Sequence, residues 1–280
     1  MKWIFFGTDS FAVTILQELQ AKGFVPTIVV CAPDLPLRRN KGFQAPATKV
    51  WADANKIETM QPSELDEDFI SALQEEVWDL FIVASYGKII SHKILNIPNK
   101  GTINVHPSLL PKYRGASPIE TAIIDDCKNT GVTIMEMDAK MDHGPIIFSI
   151  PYTFKKWPTS IAARQILASI GGTELARIIP QWMKGKIKSV DQDHSHATFT
   201  RKFSKDDAEI NLENDGYDNF RKFQAFHSWN DVFFFVNTKK TRLRVIIKEA
   251  QFLNDKFIVE KVIPEGRKEM TYQQLLNFIK

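Results

Sequence analysis

Hydrophobic and polar positions alternate between two periods in the first half of the chain. Trp3–Phe6 is an unbroken apolar run stopped by Gly7, and Asp9 with Ser10 then offers an N-cap to the amphipathic stretch Phe11–Lys22. Thr27–Cys31 is short and β-branched, the pattern of a buried strand. Ala47–Asn55 and Glu64–Glu76 carry helical periodicity, Asp79–Ala84 is another buried strand, and Gly101–His106 is a strand stopped by Pro107. Ser117–Asp126 predicts a helix, and Gly131–Asp138 and Pro145–Phe154 predict two more strands. Strands separated by helical stretches imply βαβ units and a Rossmann-like, doubly wound, mostly parallel α/β sheet. Functional groups on such sheets gather at the carboxyl ends of strands, which here lie after Phe6, Ala84 and Val105.

The second half changes pattern. Ser160–Lys184 predicts one long helix, interrupted near Gly171-Gly172, and the polar Asp191–Ala197 predicts a linker. Strands are then expected at Val232–Val236, Arg242–Ala250 and Phe257–Val262, with helices at Tyr217–Phe226 and Tyr272–Phe278. The expected division is residues 1–190, a linker over 191–200, and a small β-rich domain over 201–280.

Composition narrows the class. With 280 residues, 44% hydrophobic and 25% charged, the chain can bury a substantial core without disulfide or metal staples. Two distant cysteines, Cys31 and Cys127, exclude a disulfide framework and a thiolate zinc site. Apolar runs such as Leu80–Ala84 fall far short of the ~20 residues that span a bilayer, and the N-terminus has no signal-peptide pattern. The expectation is a cytoplasmic protein. The net charge of +3 is unevenly placed: residues 1–200 hold 21 cations and 21 anions, residues 201–280 hold 15 and 12. Lys239–Lys248 carries five cations (Lys239, Lys240, Arg242, Arg244 and Lys248) and no acid, a pattern shared by a solvated strand face and an anion-binding face.

Candidate chemistry starts at the strand ends. The turn Gly7-Thr8-Asp9 lacks the GxGxxG that lets backbone approach a pyrophosphate, so a dinucleotide site is not expected. Asn104 and His106 are two apart on a strand and so share a face. An amide donor beside a titratable imidazole can stabilise an oxyanion and shuttle a proton. The same two residues also suit a loop-capping Asn and a satisfied core His. His194 and His196, beside Asp191 and Asp193, read as solvation of a linker rather than as metal ligands.

The surrounding residues decide between those readings. The block from Asn104 through Ser108-Leu109-Leu110-Pro111 to Tyr113-Arg114-Gly115, with Asp142 and Gly144 downstream, resembles the folate-dependent formyltransferases. Phe6–Phe11, Ala32–Lys49, Thr133–Asp138 and Phe203–Asn211 extend the resemblance over nearly the whole chain, to the branch whose acceptor is methionyl initiator tRNA. The resemblance implies 10-formyltetrahydrofolate as donor, a primary amine as acceptor, and Asn104, His106 and Asp142 as catalytic residues. It implies that the Ser108, Leu109, Leu110 and Pro111 turn, the Tyr86-Gly87 strand end and Asp138 border the folate. No metal is called for, because an activated formamide and an amine lack only orientation and proton traffic. Arg38, Arg39 and Lys41 in one loop, and Lys239, Lys240, Arg242 and Arg244, are the implied tRNA contacts. The family's C-terminal module is a five-stranded OB barrel, which this chain would carry in shortened form. An amino-sugar N-formyltransferase and a non-catalytic RNA-binding relic are the alternatives.

Overall fold

The computed structural model describes residues 1–37, 42–227, 231–238 and 241–279. The expected parallel sheet is present, with the strands in the order Ile146–Thr153, Asn129–Glu136, Thr102–His106, Leu80–Val83, Trp3–Phe6, Ile28–Val30 and Glu58–Met60. Trp3–Phe6 pairs in parallel with Ile28–Val30 and with Leu80–Val83, and Leu80–Val83 pairs in parallel with Thr102–His106. Asn129–Glu136 joins the other side of Thr102–His106 antiparallel. Helices cover both faces, which is why the first strand is apolar throughout and fully buried. Ile4, Phe6, Phe81 and Val83 pack with Phe69, Ile70 and Leu73 of the helix Glu67–Gln74. The opposite face takes the helix Ser160–Met183.

That helix runs unbroken through Gly171-Gly172, against the expected interruption. The glycines are there for close approach. A Cβ on Gly171 would lie 2.9 Å from Val105 Cγ1 on the sheet, and one on Gly172 would lie 2.7 Å from Glu18 Cβ and 3.1 Å from Ile15 Cα. Glu18 also accepts hydrogen bonds from Ser169 and Thr173 on the same helix. Packing thus outweighs the roughly 1 kcal/mol per residue by which glycine disfavours a helix. Gly172→Ala is expected to destabilise the fold by about 1–2 kcal/mol, overpacking outweighing the gain in propensity. A denaturant midpoint at or above wild type would contradict this.

By contacts the chain divides into one unit of residues 1–116, 130–152 and 164–199, and a second of 117–129, 153–163 and 200–280. The stretch expected to be a free linker is ordered within the first unit. Gln192 is buried and hydrogen-bonded, and His194–His196 forms a 3-10 turn capped by Asp193. Its polarity comes from groups that bond to the protein as well as to solvent.

The second unit holds a four-stranded antiparallel sheet in chain order: Phe233–Asn237, Arg242–Leu253, Lys256–Pro264 and Met270–Thr271. The helix Gly216–Phe226, capped by Asp215, packs with this sheet and with the helix Pro118–Ile124. Among the described residues no pairing joins the first of these strands to the last. A short antiparallel pairing of Leu35–Pro36 with Phe43–Gln44 was not expected from the pattern.

Candidate active site

Asn104 and His106 end the strand Thr102–His106 on one face, both buried. The turn between Asn129–Glu136 and Ile146–Thr153 brings Asp142 to them across 38 residues of sequence. Asp142 Oδ1 lies 3.4 Å from Asn104 Nδ2 and 3.6 Å from His106 Nδ1, while its Oδ2 accepts the Gly115 N–H at 2.8 Å. Asp142 sits in the left-handed region at φ +48°, which costs a non-glycine residue on the order of 1 kcal/mol or more. The D-x-G spacing has a steric origin, since a Cβ on Gly144 would fall 2.1 Å from the Glu136 carbonyl oxygen.

The imidazole is oriented by its far nitrogen. His106 Nε2 lies 3.0 Å from the Tyr113 carbonyl, which can only accept, so Nε2 carries a hydrogen. Nδ1 is therefore the nitrogen that exchanges a proton, and when protonated it forms an imidazolium facing the Asp142 carboxylate. The three groups expected to carry the chemistry are thus brought together at the carboxyl end of the sheet.

The residues expected around the folate divide by what they offer. The Ser108 hydroxyl donates to the Lys112 carbonyl at 2.7 Å, so it shapes its own turn. Thr133, which the sequence reading did not single out, holds that turn: its hydroxyl donates to Ser108 O at 2.7 Å and accepts from Leu110 N at 3.0 Å. Its place in the Thr133–Asp138 motif was the available signal. Leu110 is buried, and Leu109 and Pro111 are half-buried. Tyr86 turns its ring into the core against Phe6, and burial pushes its hydroxyl up to about 12. That segment therefore offers backbone, with Gly87 open at φ +80°. Asp138 holds His143 Nδ1 at 2.6 Å and accepts from Lys140 N at 2.9 Å, so it braces the Asp142 turn. Among the described residues no group of three or more His, Cys, Asp or Glu could hold a metal ion.

Of the expected tRNA contacts, Arg38, Arg39, Lys41, Lys239 and Lys240 lie outside the described residues. Arg242 and Arg244 lie on neighbouring phenylalanines of the C-terminal sheet, each guanidinium carbon 3.8 Å from the ring centroid of Phe235 and Phe233 respectively. Arg242 also faces Glu209 at 3.6 Å.

An α/β sheet with an amide, an imidazole and a carboxylate at one strand end defines a class of group-transfer enzyme, and the chain belongs to the formyl transferase family, which matches residues 1–155. The relatives are more particular. A methionyl-tRNA formyltransferase of Halalkalibacterium halodurans is 34% identical over 87% of this chain and 77% of its own. Among solved structures, a methionyl-tRNA formyltransferase from Clostridium thermocellum has a TM-score of 0.64 at 17% identity, covering 94% of this chain and 98% of that one. A sugar N-formyltransferase from a Shewanella species has the same TM-score at 19% identity, covering 86% and 95%.

Proposed function

We infer that the chain transfers the formyl group of 10-formyltetrahydrofolate to the free amino group of methionyl initiator tRNA, a step of translation initiation in the cytoplasm. The observation that carries the chemistry is the meeting of Asn104 and His106 at one oxygen of Asp142. The amine nitrogen attacks the formyl carbon, and the carbonyl π pair moves onto oxygen. Asn104 Nδ2–H and His106 Nδ1–H donate to that oxyanion, the preorganised arrangement that stabilises charge as it develops. The oxyanion then collapses, the bond from carbon to folate N10 breaks, and N10 leaves with the electron pair. The attacking amine gives up one proton and N10 gains one, so no proton is consumed. Asp142 carries this traffic through water and holds the imidazolium. The Tyr86-Gly87 strand end and the Ser108–Pro111 turn would flank the pterin.

The acceptor rests on the sequence relatives, which bear the name methionyl-tRNA formyltransferase at 34–37% identity. We read the C-terminal sheet as a shortened OB-like module that contacts the tRNA backbone. Arg242 and Arg244 suit that role through their terminal N–H groups: each guanidinium stacks on a ring, with Arg242 Nη2 3.6 Å from Glu209 and Arg244 Nε buried. Arg38, Arg39, Lys41, Lys239 and Lys240 would add charge. About four phosphate contacts predict a roughly 50- to 150-fold loss of tRNA affinity on a fourfold rise in salt. Arg242→Ala with Arg244→Ala should reduce the log–log salt slope by about 2. The test offers the full chain 10-formyltetrahydrofolate with charged initiator tRNA or with nucleotide-linked amino sugars. Efficient formylation of an amino sugar, with a flat salt response, would establish the alternative acceptor.

A further inference from the structure

We propose that Gln192 and Thr198, in the segment after the long helix, are positioning residues that hold Asp142 and His106 in their reactive arrangement. The proposal rests on the catalytic roles assigned above to those two residues. It also places part of the catalytic framework beyond residues 1–155, the stretch the family matches.

Gln192 is 5% exposed, and every hydrogen-bonding position of its amide is used. Arg114 points Nε and Nη2 at Gln192 Oε1, 3.3 and 2.7 Å away. A guanidinium has only donors, so the amide can be oriented one way only, with Nε2 turned the other way. That Nε2 donates to the Asp142 carbonyl at 3.0 Å and to the Gly144 carbonyl at 2.7 Å. The two bonds straddle the one backbone turn that must keep Asp142 in its left-handed conformation. The Gly115 N–H fixes the Asp142 side chain, and Gly115 directly follows Arg114. Gln192 therefore anchors Asp142 from behind while the Arg114–Gly115 segment anchors its carboxylate.

Thr198 acts on the other partner. Its hydroxyl accepts from Tyr113 N at 2.8 Å, its carbonyl accepts from Arg114 N at 2.9 Å, and its N–H donates to Pro111 O at 3.3 Å. Tyr113, also left-handed at φ +59°, is the residue whose carbonyl sets the His106 tautomer. One short segment thus fixes the acid and the imidazole relative to each other. A displacement of about 1 Å at such a pair can cost a hundredfold in rate.

Gln192→Glu tests this in the full chain. It keeps an acceptor for Arg114 and replaces the NH2 group that makes both donations by one oxygen, which repels the two carbonyls. The expected result is a fall in kcat of about 10- to 100-fold, with the KM values for 10-formyltetrahydrofolate and charged tRNA within about threefold, and unfolding still cooperative. In an Asp142→Asn background the same change should cost less than about threefold more, because the group it positions is already disabled. Gln192→Met and Thr198→Val carry the same comparison if Gln192→Glu does not fold. A folded Gln192→Glu enzyme with kcat within twofold of wild type overturns the proposal, as does an equal loss in both backgrounds. If instead Asp142→Asn itself retains normal turnover, the catalytic assignment falls and the proposal with it.

Discussion

Asp142→Asn is expected to lower formyl-transfer turnover by at least about 100-fold, the lower range for acid–base assistance, with the protein still folded. The substitution is nearly isosteric, and its geometry shows why it should be damaging. The Gly115 N–H needs an acceptor, so the Asn oxygen will take the place of Oδ2. The new NH2 group then faces Asn104 Nδ2 and His106 Nδ1, which lie 3.4 and 3.6 Å from the oxygen it replaces. That NH2 would meet the Asn104 amide as a second donor and could donate to the neutral His106 Nδ1, tying up the nitrogen that must carry the proton. No carboxylate would remain there to accept or pass on a proton. The imidazolium would also lose its counter-charge. Single-turnover rates at saturating formyl donor, with a thermal melt alongside, check this. Turnover within tenfold of wild type in a folded variant would remove Asp142 from the mechanism.

The strand–helix alternation was legible where a strand is a short buried apolar run, as at Trp3–Phe6, Ile28–Val30 and Leu80–Val83, but not at Glu58–Met60, an edge strand of mixed residues that was not expected. Asn104 and His106 were legible as a pair because a strand repeats every two residues. Asp142 was not, since a turn 38 residues away brings it in, and only the resemblance pointed to it. Gln192 looked like a linker residue for a related reason. Its partners are backbone carbonyls at 142 and 144, and a carbonyl leaves no trace in the residue type that bears it. Gly171-Gly172 misled in the opposite direction, because helix propensity was read where close packing against Val105 and Ile15 had set the residues. Tyr86 and Ser108 lie within the expected folate-contact segments, but their side chains serve the core and the turn, a choice set by burial that residue type alone does not reveal.

Asn104→Ala is expected to cost about 100- to 1000-fold in kcat, the usual loss for removing one oxyanion donor. Alanine keeps the strand, and among the described residues the deleted amide makes one long bond, 3.4 Å to Asp142 Oδ1. Stability should therefore change by no more than about 1 kcal/mol. The effect on rate should be much larger than the effect on stability because the amide acts on charge that exists only as the formyl oxygen becomes an oxyanion. A neutral formyl group gains little from the same donor, so KM should hold while kcat and kcat/KM fall together. Asn104→Asp should be no better, although it restores shape. It would place a second carboxylate against Asp142, and of two acids in such contact one is kept protonated or the pair is pushed apart. The decisive comparison is between kcat and KM for the alanine variant at saturating charged tRNA. A raised KM with unchanged kcat would make Asn104 a substrate-binding residue, and His106 would then be left as the sole donor to the oxyanion.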